Sequence, residues 1–207
     1  MKVLHIIPAA FEYFDDIKSA AFKLVEGLNS IGVETEALTL NYGTVTKKIE
    51  RGVSGKAAPS YSLITTENID DAISGFSDFD IVHLHCPFLG AAGKILRWKL
   101  SNPNKALALT YYRDVKVADF FSVFVGAYNS YYFPKIFKLA DAVVFDSTPE
   151  FNRIFIKRHH DLKDKIFEIG DLDNSAPVGP TGNSRAEKQL AYKYLMVYNE
   201  ICHKSNK

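Results

Sequence analysis

Short apolar runs alternate with segments of helical period along most of this chain. The runs fall at residues 2–7, 33–40, 61–64, 81–85, 106–110, 142–145 and 165–169. Between them, Ile17, Ala20, Ala21, Leu24, Leu28 and Ile31 recur at the spacing of one helical face, with Asp15 and Asp16 at its start and Gly32 as its stop. The same periodicity predicts helices over 67–76, where Ile69, Ile73 and Phe76 turn inward, and over 91–100. A long aromatic helical stretch is expected over 117–139 and a further helix over 149–159. Residues 41–60 are polar and glycine-containing and predict a loop. Strands and helices in this alternation predict an α/β protein with a doubly wound, mainly parallel sheet of about seven strands. Ligands of such sheets sit at the carboxyl ends of the strands, so the residues just after each run are the ones to weigh.

The last part of the chain breaks the alternation. Residues 174–183 are rich in Pro, Gly, Ser and Asn and predict a linker between a domain over 1–173 and a helix over 184–207. Ser184 and Glu187 have the spacing of a capping box, in which hydroxyl and carboxylate each satisfy an unpaired backbone donor. Leu190, Tyr194, Val197, Tyr198 and Ile201 give this helix an apolar side, so it is expected to dock back on the domain.

Composition narrows the functional classes. With 207 residues, 47% hydrophobic and 24% charged, the chain is long enough for a sizeable core and has the balance of an ordinary globular protein. A net charge of +1 gives no general attraction to polyanions, and nucleic acid is not expected as a partner. Cys86 and Cys202 fit no disulfide or metal framework, which suits a reducing, cytoplasmic compartment. Residues 1–8 do not make a signal peptide, and no apolar run is long enough to span a membrane. The charge is unevenly spread, however. Residues 94–138 carry eight basic residues against Asp114 and Asp119, together with 11 of the 27 aromatic residues. Two readings follow. Lys94, Arg97, Trp98, Lys99, Phe120, Phe121 and Phe124 face an anionic membrane surface, making the protein peripheral at its inner face. Alternatively, this is a core helix whose lysines snorkel outward.

Candidate chemistry is concentrated after the fourth and fifth runs. His83 and His85 alternate on one strand and therefore share a face. They suggest a metal pair, but no third ligand is spaced to join them, so one packed histidine and one at the cleft rim is the expectation, with no metal and no cofactor. Cys86 has no activating partner in the sequence and reads as structural. His159 and His160 read as a helix end. Thr110, Tyr111, Tyr112, Arg113 and Asp114 combine hydroxyls, a guanidinium and a carboxylate directly after a buried strand. That set suits a sugar or phosphate ligand, with Arg113 for an anionic group, or else an ordinary solvated loop.

Five segments then carry a resemblance in order: 2–8 (KVLHIIP), 80–87 (DIVHLHCP), 110–115 (TYYRDV), 139–147 (LADAVVFDS) and 164–169 (DKIFEI). Together they resemble the first, acceptor-binding domain of family 4 glycosyltransferases, and the tail from Arg185 resembles the last helix of those enzymes, which crosses back onto that domain. The resemblance implies the GT-B architecture, of which this chain is one half, and places His85 and residues 111–114 beside a lipid-linked or saccharide acceptor. Three departures stand out. The second domain, which holds the nucleotide sugar, is missing between Ile169 and the final helix. The first loop, with Ala9, Ala10 and Phe11 at the cleft, is bulky and acidic where the family has glycines. Tyr112 stands where the family often has histidine. Binding without transfer is therefore expected, with no catalytic residue assigned. The donor half is expected on a separate subunit, or else excised with 178–184 bridging the gap. The alternative is a non-catalytic scaffold or regulatory relative. A dinucleotide-dependent oxidoreductase is disfavoured because the first loop has no Gly-x-Gly-x-x-Gly cradle.

Overall fold

Parallel strands joined by crossover helices have both faces covered, and the observed sheet follows that rule. A computed structural model describes residues 1–8, 15–40, 62–66, 69–88, 91–112, 128–145, 160–169 and 182–205. The strands are β1 (Lys2–Ile7), β2 (Glu34–Leu40), β3 (Ser62–Thr66), β4 (Ile81–Cys86), β5 (Ala106–Tyr111), β6 (Ala142–Phe145) and β7 (Ile166–Glu168). They form one sheet in the order β3-β2-β1-β4-β5-β6-β7, and every pairing is parallel. The helices are α1 (Asp15–Ser30), α2 (Ile69–Ile73), α3 (Ala92–Ser101), α4 (Phe133–Leu139) and α5 (Gly182–Ser205). This is a doubly wound, Rossmann-like α/β fold.

Strand alternation divides the core in two. Leu4, Ile6, Val82, Leu84, Leu107, Leu109 and Val143 face a layer built from Phe76, Ile95, Trp98, Ile136 and Phe137. Val3, Ile81, Ala106, Ala108, Ala142 and Val144 face the opposite way, against Leu24 and Leu28 of α1 and Tyr194, Val197, Tyr198 and Ile201 of α5. The three alanines matter because small side chains on β5 and β6 leave room for the two tyrosines. α5 therefore completes this half of the core. Its backbone also runs close to α1: a Cβ on Gly27 would lie 3.0 Å from the Glu187 carbonyl oxygen and 3.3 Å from the Ala191 Cβ. α1 ends as expected at Gly32, whose φ of +88° is open to glycine without strain while Val33 N–H returns to the Leu28 carbonyl.

Several expectations shift. α5 begins at Gly182, so Ser184 lies inside the helix and not at its cap. The helix expected over 67–76 is a short α2 followed by a tighter turn over Ser74–Asp78. Of the aromatic stretch 117–139, the described part is a wide turn over Tyr128–Tyr132 leading into α4. Most of its rings turn inward, Tyr131 being exposed: Phe133 and Phe137 surround Tyr111, with centroids at 5.1 and 5.7 Å, and Phe145 closes the group at 5.6 Å. The helix expected over 149–159 and most of the linker lie outside the described residues.

The basic residues of this region also do different work from that expected of a membrane face. Lys99 is 5% exposed; its Nζ donates to Asp141 Oδ2 at 2.8 Å and to the carbonyls of Pro103 and Lys105 at 2.9 and 2.6 Å. Asp141 Oδ2 in turn accepts Leu107 N–H at 2.8 Å, tying the starts of β5 and β6 together. Trp98 is 7% exposed and meets Phe76 edge-on at 5.5 Å. Lys105 donates to the Ser77 carbonyl, and Lys94 pairs with Asp70. Arg97 alone of the four residues Lys94, Arg97, Trp98 and Lys99 points fully outward. Phe120, Phe121 and Phe124 lie outside the described residues. No described helix is long and apolar enough to cross a membrane.

Lys99→Met leaves Asp141 and two carbonyls without their cation, and breaking a buried ion pair from one side is strongly destabilising. Asp141 is part-exposed and can recover some hydration, so a loss of about 2–4 kcal/mol is expected by urea denaturation. An unchanged midpoint would show that the pair carries no structural weight.

Candidate functional site

The strand order reverses its direction between β1 and β4. From β1 the chain builds outward through β2 and β3, then returns to add β4 to β7 on the other side. Ligands of doubly wound sheets bind at the carboxyl ends of the two strands that flank such a switch point. Three histidines lie within these two strands. His5 of β1 is in register with His83 of β4, and His85, two residues further on, is in register with Thr110 of β5. The alternation of side chains places all three on the face covered by α1 and α5. Each is fully buried.

Their rings form one connected group. His5 and His85 are 27° apart with centroids at 5.3 Å, and His83 and His85 are stacked at 4.4 Å. His5 Nδ1 lies 3.0 Å from His85 Nε2, and His85 Nδ1 lies 2.9 Å from the Tyr112 hydroxyl. His83 is held from two sides, with Nδ1 at 2.6 Å from the Tyr198 hydroxyl and Nε2 at 2.8 Å from Thr110 Oγ1. Thr110 Oγ1 continues to the Tyr194 hydroxyl at 2.8 Å. A neutral imidazole offers one donor and one acceptor, and hydroxyls supply either role, so His83 is satisfied in both tautomers. His5 Nε2 is different: among the described residues it is the buried side-chain polar atom with no partner.

Burial sets the charge state. Loss of hydration lowers the His5 pKa to about 3. It also holds His83 well below the usual histidine range, and the neighbouring His85 and His5 push in the same direction. His85 is lowered by burial and then by His5. The polar groups bonded to this cluster are the hydroxyls of Thr110, Tyr112 and Tyr198, and no carboxylate among the described residues bonds to it to stabilise a positive ring. The three imidazoles are therefore neutral at physiological pH. Cys86, on the other face, has its thiol pushed up to about 12 by burial, so it is not a nucleophile at neutral pH.

The residues expected at the cleft separate in three dimensions. His85 is not a rim residue: it is fully buried between His5 and His83, and its Nδ1 meets Tyr112, which is half-buried just after β5. Tyr111 points to the opposite face, 1% exposed among Phe133, Phe137 and Phe145, because one step along a strand reverses the side chain. It has no surface left for an acceptor. Arg113, Asp114, Ala9, Ala10 and Phe11 lie outside the described residues. The third imidazole, which the spacing of His83 and His85 did not provide, comes from His5 on the neighbouring strand. Its signal was a histidine interrupting the first apolar run, but the β1–β4 register that brings it to His83 belongs to the sheet order. Thr110, Tyr194 and Tyr198 are the other partners that periodicity alone did not reveal.

No family model matches the chain, and no curated protein sequence matches it. Among solved structures, the chain is similar to an alpha-glucosyltransferase (AGT) in complex with UDP, at 12% identity and a TM-score of 0.49, over 86% of this chain and 42% of that one. It is similar to an alpha-glucosyltransferase in complex with UDP and a 13-mer DNA containing a central A:G mismatch, at 12% identity and a TM-score of 0.48, over 81% and 40%. TubZ of Clostridium botulinum phage c-st is similar at 14% identity and a TM-score of 0.39, over 94% and 58%. The chain thus spans less than half the length of either glucosyltransferase chain. The fold assignment rests on the sheet order itself.

The neutral histidines make stability depend on pH in one direction. Their pKa values are depressed on folding, so the unfolded chain takes up protons that the folded one refuses once the pH falls below about 6.5. Stability is unaffected by these groups above that pH and declines from there toward about pH 3, where His5 protonates. Each excluded proton contributes about 1.4 kcal/mol per pH unit in that window. Urea midpoints are therefore expected to fall steeply between pH 6.5 and 5, and a flat profile would contradict burial of the cluster.

Proposed function

We propose that this chain is the acceptor-binding half of a GT-B-type glycosyltransferase and binds a lipid-linked or saccharide acceptor at the carboxyl ends of β1, β4 and β5. The observation that carries the reading is α5. After the dozen residues 170–181, the chain returns to the face of the first domain and packs its tyrosines on β4 and β5. A returning helix of this kind fits the crossover helix implied by the five ordered sequence segments. In a doubly wound sheet the switch point between β1 and β4 is the place for a ligand. Tyr112 is the described residue that links it to the interior, and His85 positions its hydroxyl.

Transfer needs a nucleotide-sugar site, and residues 170–181 are too few to form the second domain that would hold it. Residues 1–207 then bind an acceptor without turnover, and a donor domain outside them supplies the sugar. An anionic membrane surface is the weaker part of the expectation, since Trp98 and Lys99 are committed to the core and Lys94 to Asp70.

Calorimetry with a short-chain prenyl phosphate, an oligosaccharide series and NAD tests the proposal. Saturable binding of a prenyl phosphate or a saccharide is expected, weakened about fivefold by Tyr112→Phe through loss of one hydrogen bond, with no response to NAD. Binding of NAD, or of none of the three while the chain captures a protein partner, would place it with oxidoreductases or scaffolds instead.

A further inference from the structure

We propose that His5, His83 and His85 form a binding site for a divalent transition-metal cation of the zinc type. Nothing in the acceptor reading requires such a site, and the two stand or fall separately.

The ligand set comes first. One ligand nitrogen from each of the three rings lies within 4.8 Å of the other two, on three positions fixed by sheet register and not by flexible loops. Around a tetrahedral zinc with Zn–N bonds of about 2.0–2.1 Å, neighbouring nitrogens stand roughly 3.3 Å apart. His5 Nδ1 and His85 Nε2 are 3.0 Å apart, near that spacing, so a cation replaces the hydrogen bond between them once both rings turn their lone pairs toward it. His83 then has to turn its ring toward the same point. Its rotation is compensated: Thr110 Oγ1, the hydroxyl it leaves, keeps its bond to Tyr194.

The surroundings match what metal-bound histidine needs. A ligating imidazole normally donates its other ring N–H to a fixed acceptor, which sets the tautomer. His83 and His85 both have Nδ1 on a tyrosine hydroxyl, Tyr198 and Tyr112, leaving Nε2 as the coordinating atom in each. All three rings are neutral, the form that has the lone pair. His5 supplies a second, independent pointer. Its Nε2 is fully buried with no hydrogen-bond partner, and such atoms in folded proteins call for an explanation. Coordination through Nδ1, the atom that faces His85, leaves Nε2 to carry the ring proton, so the orphan marks a ring whose hydrogen bonds are incomplete and does not itself name the ligand atom. Three histidines with no carboxylate leave the fourth position for water or an anionic ligand, and half-buried Tyr112, bonded to His85, is the cluster's contact nearest to solvent.

The test uses the full chain stripped with chelator. Titration with zinc by calorimetry is expected to give saturable binding of one cation per chain, and cobalt substitution to give the visible absorption of a four-coordinate site. X-ray absorption on the zinc form is expected to count three imidazole nitrogens. Tyr198→Phe keeps the shape of the core while removing the hydroxyl that orients His83, and it is expected to weaken zinc binding about 10- to 100-fold. His5→Asn is expected to weaken it at least as much, whereas His203→Ala, on the exposed side of α5, leaves it unchanged. Absence of saturable binding, two or fewer imidazoles in the absorption spectrum, or binding indifferent to Tyr198→Phe would overturn the site. Because the spectroscopy is read on the unmutated chain, a variant that fails to fold does not shield the proposal.

Discussion

An imidazole taken out of water must stay neutral and find partners for two ring nitrogens, and this sheet holds three such rings in contact. Desolvation keeps them uncharged, and their hydrogen bonds decide what else must be nearby. His83 requires hydroxyls on both sides, which fixes Thr110 on β5 and Tyr198 on α5. His85 requires Tyr112, which fixes the conformation at the end of β5. The C-terminal helix is thus held by more than apolar contact. A chain lacking it would expose Leu24, Leu28 and the alanine strip of β5 and β6, and would leave His83 without its tyrosine.

The opposite end of the sheet obeys a separate logic. There the lysines serve as multi-donor pins: Lys99 ties the start of β5 to the start of β6, and Lys165 donates to the Lys138 and Ala140 carbonyls at the end of α4. Lys165 thereby satisfies carbonyls at a helix end, and Lys99 satisfies those of the turn that leads into β5. Among the described residues, these lysines act at the amino ends of the strands, while the buried histidines are held by hydroxyls.

Much of this was legible before the structure. The strands were visible because both faces are buried, so the apolar runs are nearly unbroken, and Gly32 marked the end of α1 for a reason of backbone geometry. The docking of the final helix followed from its apolar side. What escaped detection depended on neighbours distant in sequence. Histidines at 5 and 83 become a pair through the β1–β4 register, 78 residues apart in the chain. Trp98 and Lys99 resembled an interfacial pair because their type and spacing suit a membrane equally well; Phe76 and Asp141, which claim them, come from other parts of the fold. Tyr111 and Tyr112 looked equivalent in a polar motif, yet strand alternation sends one to an aromatic core and the other to the histidine cluster.

The histidine cluster links the fold, the switch point and the candidate cation site, so its protonation behaviour bears on all three. In metal-free protein labelled with ¹⁵N at histidine, the ring resonances of His5, His83 and His85 are expected to stay in the neutral range as the pH is lowered through 6.5 and to remain there until the protein unfolds. Three rings that titrate near 6.5 with the fold intact would mean that they are solvated, and that neither the buried cluster nor the clamp on the C-terminal helix exists as described.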